Sequence, residues 1–196
     1  MTMTAREMKR ALRGEALARR DALDPNWRVE ASLGFAEWVD ELAPGPGRVV
    51  SGFWPMRSEV DVRPLMAALA DRGARLCLPA ILDKTTIVFR ELKRGAPLVD
   101  MGFGTQGPGE DAAVLEPELM LVPLAAFDRR GHRIGYGAGY YDRAIARIQE
   151  NGTAAPRLVG IAFDCQEVPQ VPDEMHDVII PEILTESGLR RFPPPL

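Results

Sequence analysis

One stretch of the chain, residues 119–150, contains the pattern that decides the fold: LMLVPLAAFDRRGHRIGYGAGYYDRAIARIQE. It begins with an apolar run at 119–124, which is typical of a strand buried on both faces. It ends with residues 140–150, whose spacing of apolar and charged side chains predicts a helix. Between them, glycines alternate with Tyr136 and Ala138 at three positions: Gly135, Gly137 and Gly139. The order is therefore strand, glycine loop and helix.

The glycine loop has the composition of a phosphate-binding site. Glycines allow close approach of a ligand and accept positive φ without a Cβ penalty, and the N–H groups at a helix start attract phosphate. The spacing GxGxG matches neither the dinucleotide fingerprint nor a Walker loop, so a plain glycine-rich turn is the alternative. All three tyrosines and several charged residues crowd residues 128–143, which a plain turn does not require. We therefore favour a phosphate loop with a carboxylate, Asp142, at its helical exit.

The composition is that of one soluble globular domain. A chain of 196 residues with 46% hydrophobic and 27% charged residues is long enough to bury a sizeable core. The net charge of −4 argues against broad nucleic-acid binding, which favours strongly basic domains. No apolar stretch approaches the roughly 20 residues that cross a bilayer, and the charged N-terminus lacks the apolar region of a secretory signal. We expect a cytoplasmic protein without nucleic-acid or membrane partners.

The first 23 residues predict a basic N-terminal helix. Residues 4–23 are rich in Ala, Leu, Arg and Glu, and their charges include Lys9, Arg10 and Arg13. Lys9 and Arg13 are four residues apart and so share one face of the helix. Such a charge run is by default a solvated face, and the alternative is an anion clamp over a polyphosphate. Spacing alone favours the solvated face.

The rest of the chain alternates predicted strands and helices. Helices are predicted at 25–42 and 62–72, and further strands at 48–54, 75–81, 86–92, 157–163, 178–180 and 183–185. Residues 95–116 predict a long loop rich in glycine and proline, and residues 187–196 predict a frayed tail. The alternation predicts a single-domain α/β fold over residues 1–196, a three-layer sandwich with a mostly parallel, Rossmann-like sheet.

Two carboxylates, Glu59 and Asp61, follow the strand predicted at 48–54. They precede a predicted helix, and in open α/β sheets ligands bind beyond the carboxyl ends of the strands. Asp61 is well placed to cap that helix, whereas Glu59 has no evident structural role. We therefore treat Glu59 as a candidate ligand-binding residue.

Residues 122–143, VPLAAFDRRGHRIGYGAGYYDR, resemble the signature of the 5-formyltetrahydrofolate cyclo-ligase family, also called 5,10-methenyltetrahydrofolate synthetases. Three further segments resemble family elements in the same order along the chain: KRALR at 9–13, FWPMRSEVD at 53–61 and MHD at 175–177. These matches span nearly the whole chain, and the central one is specific.

The resemblance implies an ATP- and Mg²⁺-dependent ligase of one-carbon metabolism. Such an enzyme converts 5-formyltetrahydrofolate to 5,10-methenyltetrahydrofolate and gives ADP and phosphate. Phosphorylation of the formyl oxygen precedes ring closure, so no side-chain nucleophile is required. Reduced folate and ATP would be the small-molecule substrates, and we expect a monomer.

The same resemblance implies a role for each matching residue. The catalytic residues would be Lys9, Arg13, Arg133 and Tyr140. ATP would be bound by Lys9, Arg10, Arg13, Arg133, Gly135, Tyr136, Gly137, Ala138, Gly139, Tyr140, Tyr141 and Asp142. Folate would be bound by Trp54, Met56, Glu59, Phe103 and Tyr140, with Glu59 at the pterin. The metal ligands would be Asp142 and Asp177.

Three positions depart from the family pattern. Ala138 stands where many members have glycine or lysine, and Gln106-Gly107-Pro108 stands where a Glu-Pro pair is expected. Pro181 stands where the family often has an aspartate after the His-Asp pair.

Two rival functions stay open. One is a paralogue with another substrate, which Glu59 argues against, and the other is a non-catalytic nucleotide-binding module, which the matched carboxylates argue against. A dinucleotide-linked oxidoreductase is the weakest alternative, because the glycine spacing is wrong.

Overall fold

An eight-stranded sheet forms the centre of the computed structural model, which describes residues 3–102, 104–150, 154–174 and 177–193. Its strands are β1 (Val49–Ser51), β2 (Arg75–Ile81), β3 (Ile87–Leu92), β6 (Val114–Leu115), β7 (Leu119–Pro123), β10 (Arg157–Ile161), β11 (Glu182–Thr185) and β12 (Gly188–Arg191). Two separate hairpins pair β4 (Leu98–Gly102) with β5 (Thr105–Pro108) and β8 (Ala126–Phe127) with β9 (Arg133–Ile134). The helices are α1 (Ala5–Asp21), α2 (Pro25–Gly34), α3 (Val39–Leu42), α4 (Arg63–Asp71) and α5 (Tyr140–Glu150).

The strand order across the sheet is β12-β11-β10-β7-β1-β2-β3-β6. The five neighbouring strands from β11 to β2 run parallel, and the outer strands pair antiparallel with their neighbours. From β1 the chain passes through α4 to β2, whereas from β7 it passes through α5 to β10, in the opposite direction across the sheet. The carboxyl ends of the adjacent strands β1 and β7 therefore form a topological switch point, where open α/β sheets bind ligands.

Alternate residues of the central strands pack into two cores on opposite faces of the sheet. On one face, Leu121 of β7 belongs to the same cluster as Leu65 and other residues of α4. On the other face, Met120 of β7 belongs to a cluster with Ile145 of α5. The predicted α/β class with a mostly parallel central sheet is confirmed, while the extent of the single domain stays a prediction.

Two segments are more regular than the sequence predicts. The predicted loop at 95–116 contains the β4–β5 hairpin and the edge strand β6, because pairing with neighbouring strands outweighs local composition. The predicted frayed tail at 187–196 is wrong for β12, which pairs with β11. Gly188, with a φ of 127°, permits the tight turn between these strands. Residues 194–196 lie outside the described part of the chain.

The N-terminal helix α1 is present as predicted. Thr4 caps it through a capping box with Glu7. The helix predicted at 25–42 is divided into α2, a 3₁₀ turn at Phe35–Trp38 and α3. Within the described ranges, none of the helices combines the length and the apolar character that a membrane span requires.

Candidate active site

The candidate site lies at the switch point between β1 and β7. The chain after β1 forms a loop at 52–62 that contains Glu59, and the chain after β7 forms the β8–β9 hairpin and the glycine loop at 135–139. Side chains of α1 reach both loops. The polar clusters of the sequence therefore meet in one region, because the carboxyl ends of parallel strands share one edge of the sheet.

Backbone geometry in the glycine loop requires glycine at two positions. Gly137 has a φ of 102° and Gly139 a φ of 65°, which residues with a Cβ rarely adopt. A Cβ at Gly139 would lie 2.9 Å from Arg143 Nη1, and a Cβ at Gly137 would lie 3.8 Å from the Arg13 guanidinium. Arg13 donates a hydrogen bond from Nε to the carbonyl oxygen of Gly135 at 2.7 Å. The loop thus lies directly against the basic face of α1.

Lys9 of α1 is bound by two carboxylates. Its Nζ lies 2.6 Å from Asp177 Oδ2 and 2.8 Å from Glu174 Oε2. Burial alone would lower the pKa of Lys9, but the two carboxylates outweigh this effect and raise the pKa. A solvated basic face, which spacing alone favoured, is wrong for Lys9 and Arg13, because α1 packs this face against the loops.

Asp142, in the first turn of α5, is anchored by Arg133. Its Oδ1 accepts hydrogen bonds from Arg133 Nη2 at 2.8 Å and from the backbone N–H of Val178 at 3.2 Å. The buried Arg133 also donates to the carbonyl oxygen of Val178 at 2.5 Å. Since Val178 follows Asp177 in the chain, the backbone beside the second predicted metal ligand lies against Asp142. Across the described ranges, no cluster of three or more His, Cys, Asp and Glu side chains is suited to a metal ion.

The exit of the glycine loop is fastened to the turn between β2 and β3. The Tyr140 hydroxyl donates to the carbonyl oxygen of Asp83 at 3.3 Å. Arg143 donates to the carbonyl oxygens of Thr85 at 2.7 Å and Ala138 at 2.6 Å. Its guanidinium carbon lies 5.5 Å from the centroid of the Tyr140 ring, within range of a cation–π contact. These contacts hold the loop and the first turn of α5 in place.

Glu59 is a buried carboxylate with one unpartnered oxygen. The residue is 9% exposed, and its Oε2 accepts a hydrogen bond from the N–H of Met56 at 2.7 Å. Its Oε1 has no hydrogen-bond partner among the described residues. Burial raises the pKa of Glu59, and the Tyr136 hydroxyl, the Met56 N–H and the Arg20 charge partly offset this effect. A buried acceptor without a donor is costly unless a ligand or water satisfies it, so Glu59 has the properties of a binding group.

Arg20, which the sequence analysis did not single out, joins the two loops. It is 2% exposed, and it donates from Nε to Ser58 Oγ at 2.9 Å and from Nη1 to the Tyr136 hydroxyl at 2.7 Å. Ser58 donates in turn to the Asp21 carboxylate. Arg20 follows Arg13 by about two helical turns, and this shared stripe of α1 is the signal that could have revealed it.

Comparison with known proteins now assigns the chain to a family. A model of the 5-formyltetrahydrofolate cyclo-ligase family matches residues 5–186, which is nearly the whole chain. The chain belongs to the 5-formyltetrahydrofolate cyclo-ligase family. The recognition made from sequence is confirmed, and as a cyclo-ligase family member the protein is a ligase.

The similarity to individual cyclo-ligases extends over almost their full length. The 5-formyltetrahydrofolate cyclo-ligase of Escherichia coli (strain K12) is 30% identical over 176 residues, 86% of this chain and 95% of that protein. The one from Mus musculus is 27% identical over 201 residues, 95% of this chain and 97% of that protein. The NMR structure of Aquifex aeolicus 5,10-methenyltetrahydrofolate synthetase gives a TM-score of 0.76 at 27% identity, covering 96% of this chain and 95% of that one.

On the side of the site where the cyclo-ligase resemblance predicts folate, Trp54 and Met56 are half-buried in the loop after β1. The guanidinium carbon of Arg63 lies 5.1 Å from the centroid of the Trp54 ring. Asp61 accepts hydrogen bonds from the side chain and the N–H of Arg63, which lower its pKa. Asp61 thus serves the start of α4, as the sequence predicts, although the N-cap position itself is Val62.

Two residues that the cyclo-ligase resemblance implicates are not placed in this geometry. Arg10 is exposed on α1, beside Lys9 but on a different face of the helix. Phe103 lies outside the described residues. Their roles, like the individual roles of the other site residues, stay predictions.

Proposed function

We propose that this protein catalyses the ATP- and Mg²⁺-dependent cyclisation of 5-formyltetrahydrofolate to 5,10-methenyltetrahydrofolate, with ADP and phosphate as the other products. The proposal rests on family membership together with one structural observation. A basic glycine loop and a buried carboxylate, Glu59, converge on the switch point of the sheet. A nucleotide and an N–H-rich heterocycle suit these two groups, respectively.

The glycine loop and the basic stripe of α1 would bind the phosphates of ATP. The positive φ angles of Gly137 and Gly139 support a loop whose N–H groups can face an anion, and α5 begins directly after it. Arg13 supplies positive charge at Gly135 of the loop, and Arg133 supplies it beside Asp142 at the start of α5. Lys9 would exchange its two carboxylate partners for phosphate oxygens.

The donor set fits Mg²⁺ that is bound jointly by protein and nucleotide. Proteins usually hold this ion through one or two carboxylates together with substrate phosphates and water, so a cluster of three acidic side chains is not needed. Asp142 is the first candidate ligand, because Arg133 and the Val178 N–H fix its orientation through Oδ1. Asp177 would be the second carboxylate. Bound there, the ion would neutralise charge on the phosphates.

Glu59 would bind the pterin ring of the folate. The ring offers amino and N–H donors, and the unpartnered Oε1 is an acceptor that such a donor would satisfy. Trp54 and Met56, half-buried in the same loop, would supply apolar contact. Oε2 keeps its bond to the Met56 N–H, so the carboxylate is held in place by its own loop.

The chemistry needs positioning and charge neutralisation rather than a nucleophilic side chain. The formyl oxygen attacks the γ-phosphorus while the bond to ADP breaks, which gives an iminium phosphate. The N10 electron pair then attacks the formyl carbon, the C–O bond breaks with release of phosphate, and N10 loses its proton. Lys9, Arg13 and Arg133 would stabilise the transferring phosphoryl group, and Tyr140 would line the loop beside it.

A direct assay tests the proposal. Purified protein is mixed with 5-formyltetrahydrofolate and Mg²⁺, with and without ATP, and formation of methenyltetrahydrofolate is followed by its near-ultraviolet absorbance. An ATP-dependent rise is expected. If folded protein that binds ATP produces no rise, a paralogue acting on another substrate becomes the better assignment.

We also propose a monomeric, single-domain enzyme of the cytoplasm without nucleic-acid or membrane partners. The continuous eight-stranded sheet and the acidic net charge of −4 support this proposal. Light scattering of the purified protein tests the oligomeric state directly.

A further inference from the structure

A buried arginine links the two halves of the candidate site. Arg20 lies on α1, is 2% exposed, and donates to Ser58 Oγ at 2.9 Å and to the Tyr136 hydroxyl at 2.7 Å. Ser58 immediately precedes Glu59, and Tyr136 lies in the glycine loop. One guanidinium is therefore bound both to the loop that carries the proposed folate carboxylate and to the loop proposed to bind phosphate.

The hydroxyl groups around Arg20 have a defined direction of hydrogen bonding. Because Arg20 is a pure donor, Ser58 accepts from it and uses its own proton to donate to Asp21. Tyr136 likewise accepts from Arg20, and its hydroxyl lies near enough to Glu59 to oppose the rise in the pKa of that carboxyl. These two hydrogen bonds satisfy a buried guanidinium, which would be strongly disfavoured in the interior if it were unpaired.

We propose that Arg20 is a positioning residue for folate binding, which holds the loop of Glu59 and the Tyr136 side chain in register with each other. The inference rests on the proposed function, since it assumes that Glu59 binds the folate. Arg20 acts through Ser58 and Tyr136 and touches neither substrate.

The electrostatic surroundings of Glu59 support this role. Burial raises its pKa, and the groups that oppose the shift are the Tyr136 hydroxyl from the glycine loop, the Met56 N–H from its own loop and the Arg20 charge from α1. Tyr141 of α5 also lies within electrostatic range of Glu59, and burial raises the pKa of this phenol, so it is neutral. Arg20 thus supplies positive charge that opposes the effect of burial on Glu59.

The decisive experiment compares Arg20→Met with Arg19→Met. Arg19 is the matched control, because it lies next to Arg20 on the same helix, is exposed, and donates to the backbone carbonyl oxygens of Cys165 and Glu167. For each variant, kcat and the KM values for 5-formyltetrahydrofolate and for ATP are measured as a function of pH, with thermal melting recorded alongside.

Arg20→Met is expected to raise the KM for folate about 10-fold, while the KM for ATP changes less than about twofold because the backbone of the glycine loop keeps its hydrogen bonds to Arg13 and Arg143. The acidic limb of the kcat/KM profile for folate should move to higher pH, because ionised Glu59 loses its compensating charge. Arg19→Met should behave as the parent protein. Arg20→Lys keeps the positive charge but cannot reproduce both hydrogen bonds of the guanidinium. This variant should leave the acidic limb of the kcat/KM profile in place and raise the KM for folate.

Other outcomes separate the possible failures. If Arg20→Met lowers the melting temperature, changes both KM values equally and leaves the acidic limb unmoved, Arg20 is only structural and the inference is overturned. If Arg20→Met does not fold, Arg20→Lys decides, since an unchanged folate KM in that variant also overturns it. If Glu59→Gln leaves folate binding and the acidic limb unchanged, the proposed folate assignment fails, whatever Arg20 does.

Discussion

The two halves of the candidate site differ in how the protein satisfies their charges. In the phosphate half, Lys9 is held by Asp177 at 2.6 Å and Glu174 at 2.8 Å. In the folate half, Glu59 is buried and its Oε1 lacks a protein partner among the described residues. Phosphate binding must therefore replace existing ion pairs, whereas folate binding would add an interaction that the protein leaves unmade.

This difference sets what each half contributes. When ion pairs are exchanged, the binding free energy is only the difference between the old and the new pairs. Such an exchange selects for a charged ligand but adds little affinity. A buried acceptor without a donor carries a desolvation cost that a correct ligand removes and an incorrect ligand does not. We therefore expect discrimination among ligands to be sharper at Glu59 than at Lys9.

The largest effect is expected at Lys9. Lys9→Ala should reduce turnover roughly 10²- to 10³-fold, because a cation aimed at a transferring phosphoryl group acts mainly in the transition state. The near-ultraviolet assay measures the loss, and circular dichroism shows that the fold is retained. Arg6→Ala, an exposed change on the same helix, is the control that should retain activity. Normal turnover of Lys9→Ala would remove Lys9 from the phosphate site.

Glu59→Ala should weaken folate binding by about 10- to 100-fold, the usual range for a lost charge-assisted hydrogen bond. ATP binding should change by less than about twofold, because the glycine loop keeps its hydrogen bonds to Arg13 and Arg143. Calorimetric titration with each substrate separates the two effects. An equal loss of both would show that Glu59 holds the site together rather than binding folate.

Glu59→Gln should make the protein more stable at neutral pH. Because the pKa of Glu59 is raised in the folded state, the stability it contributes is greatest at low pH and is lost as pH rises from the ordinary value of 4.5 through the raised pKa. Removing the buried charge should raise the melting temperature by about 2–4 °C, which corresponds to about 1 kcal/mol. Thermal melts of both proteins from pH 4 to pH 8 measure the difference, and a gain that is the same at every pH would contradict it.

The smallest effect is expected at Glu174. Glu174→Gln removes one competitor for Lys9, so ATP should bind up to about fivefold more tightly, the range of a partly exposed ion pair. The gain should shrink at high salt. Asp173→Asn, at the neighbouring position and paired with Arg130 instead, is the matched control. Weaker ATP binding in Glu174→Gln would mean that the pair with Lys9 assists the nucleotide.

Local sequence pattern predicts much of the central part of the fold. The apolar run of β7, the glycine loop and α5 occur in the predicted order, and β2 and β7 fall where alternation and apolar composition place them. Each of these elements depends on residues that are close together in the sequence, so periodicity and turn chemistry predict it. Local composition gives the wrong prediction for residues 95–116, where strand pairing within the segment and with β3 forms regular structure in a glycine-rich stretch.

The sequence by itself determined the fold class, the family and the kinds of side chain that the site contains, because these depend on composition and on motifs that are contiguous in the chain. Only the tertiary structure decided which side chains meet. Lys9 and Asp177 are 168 positions apart, and Arg20 and Tyr136 are 116 apart. Such contacts depend on how α1 packs across the ends of β1 and β7, which is a property of the whole sheet and not of any one segment.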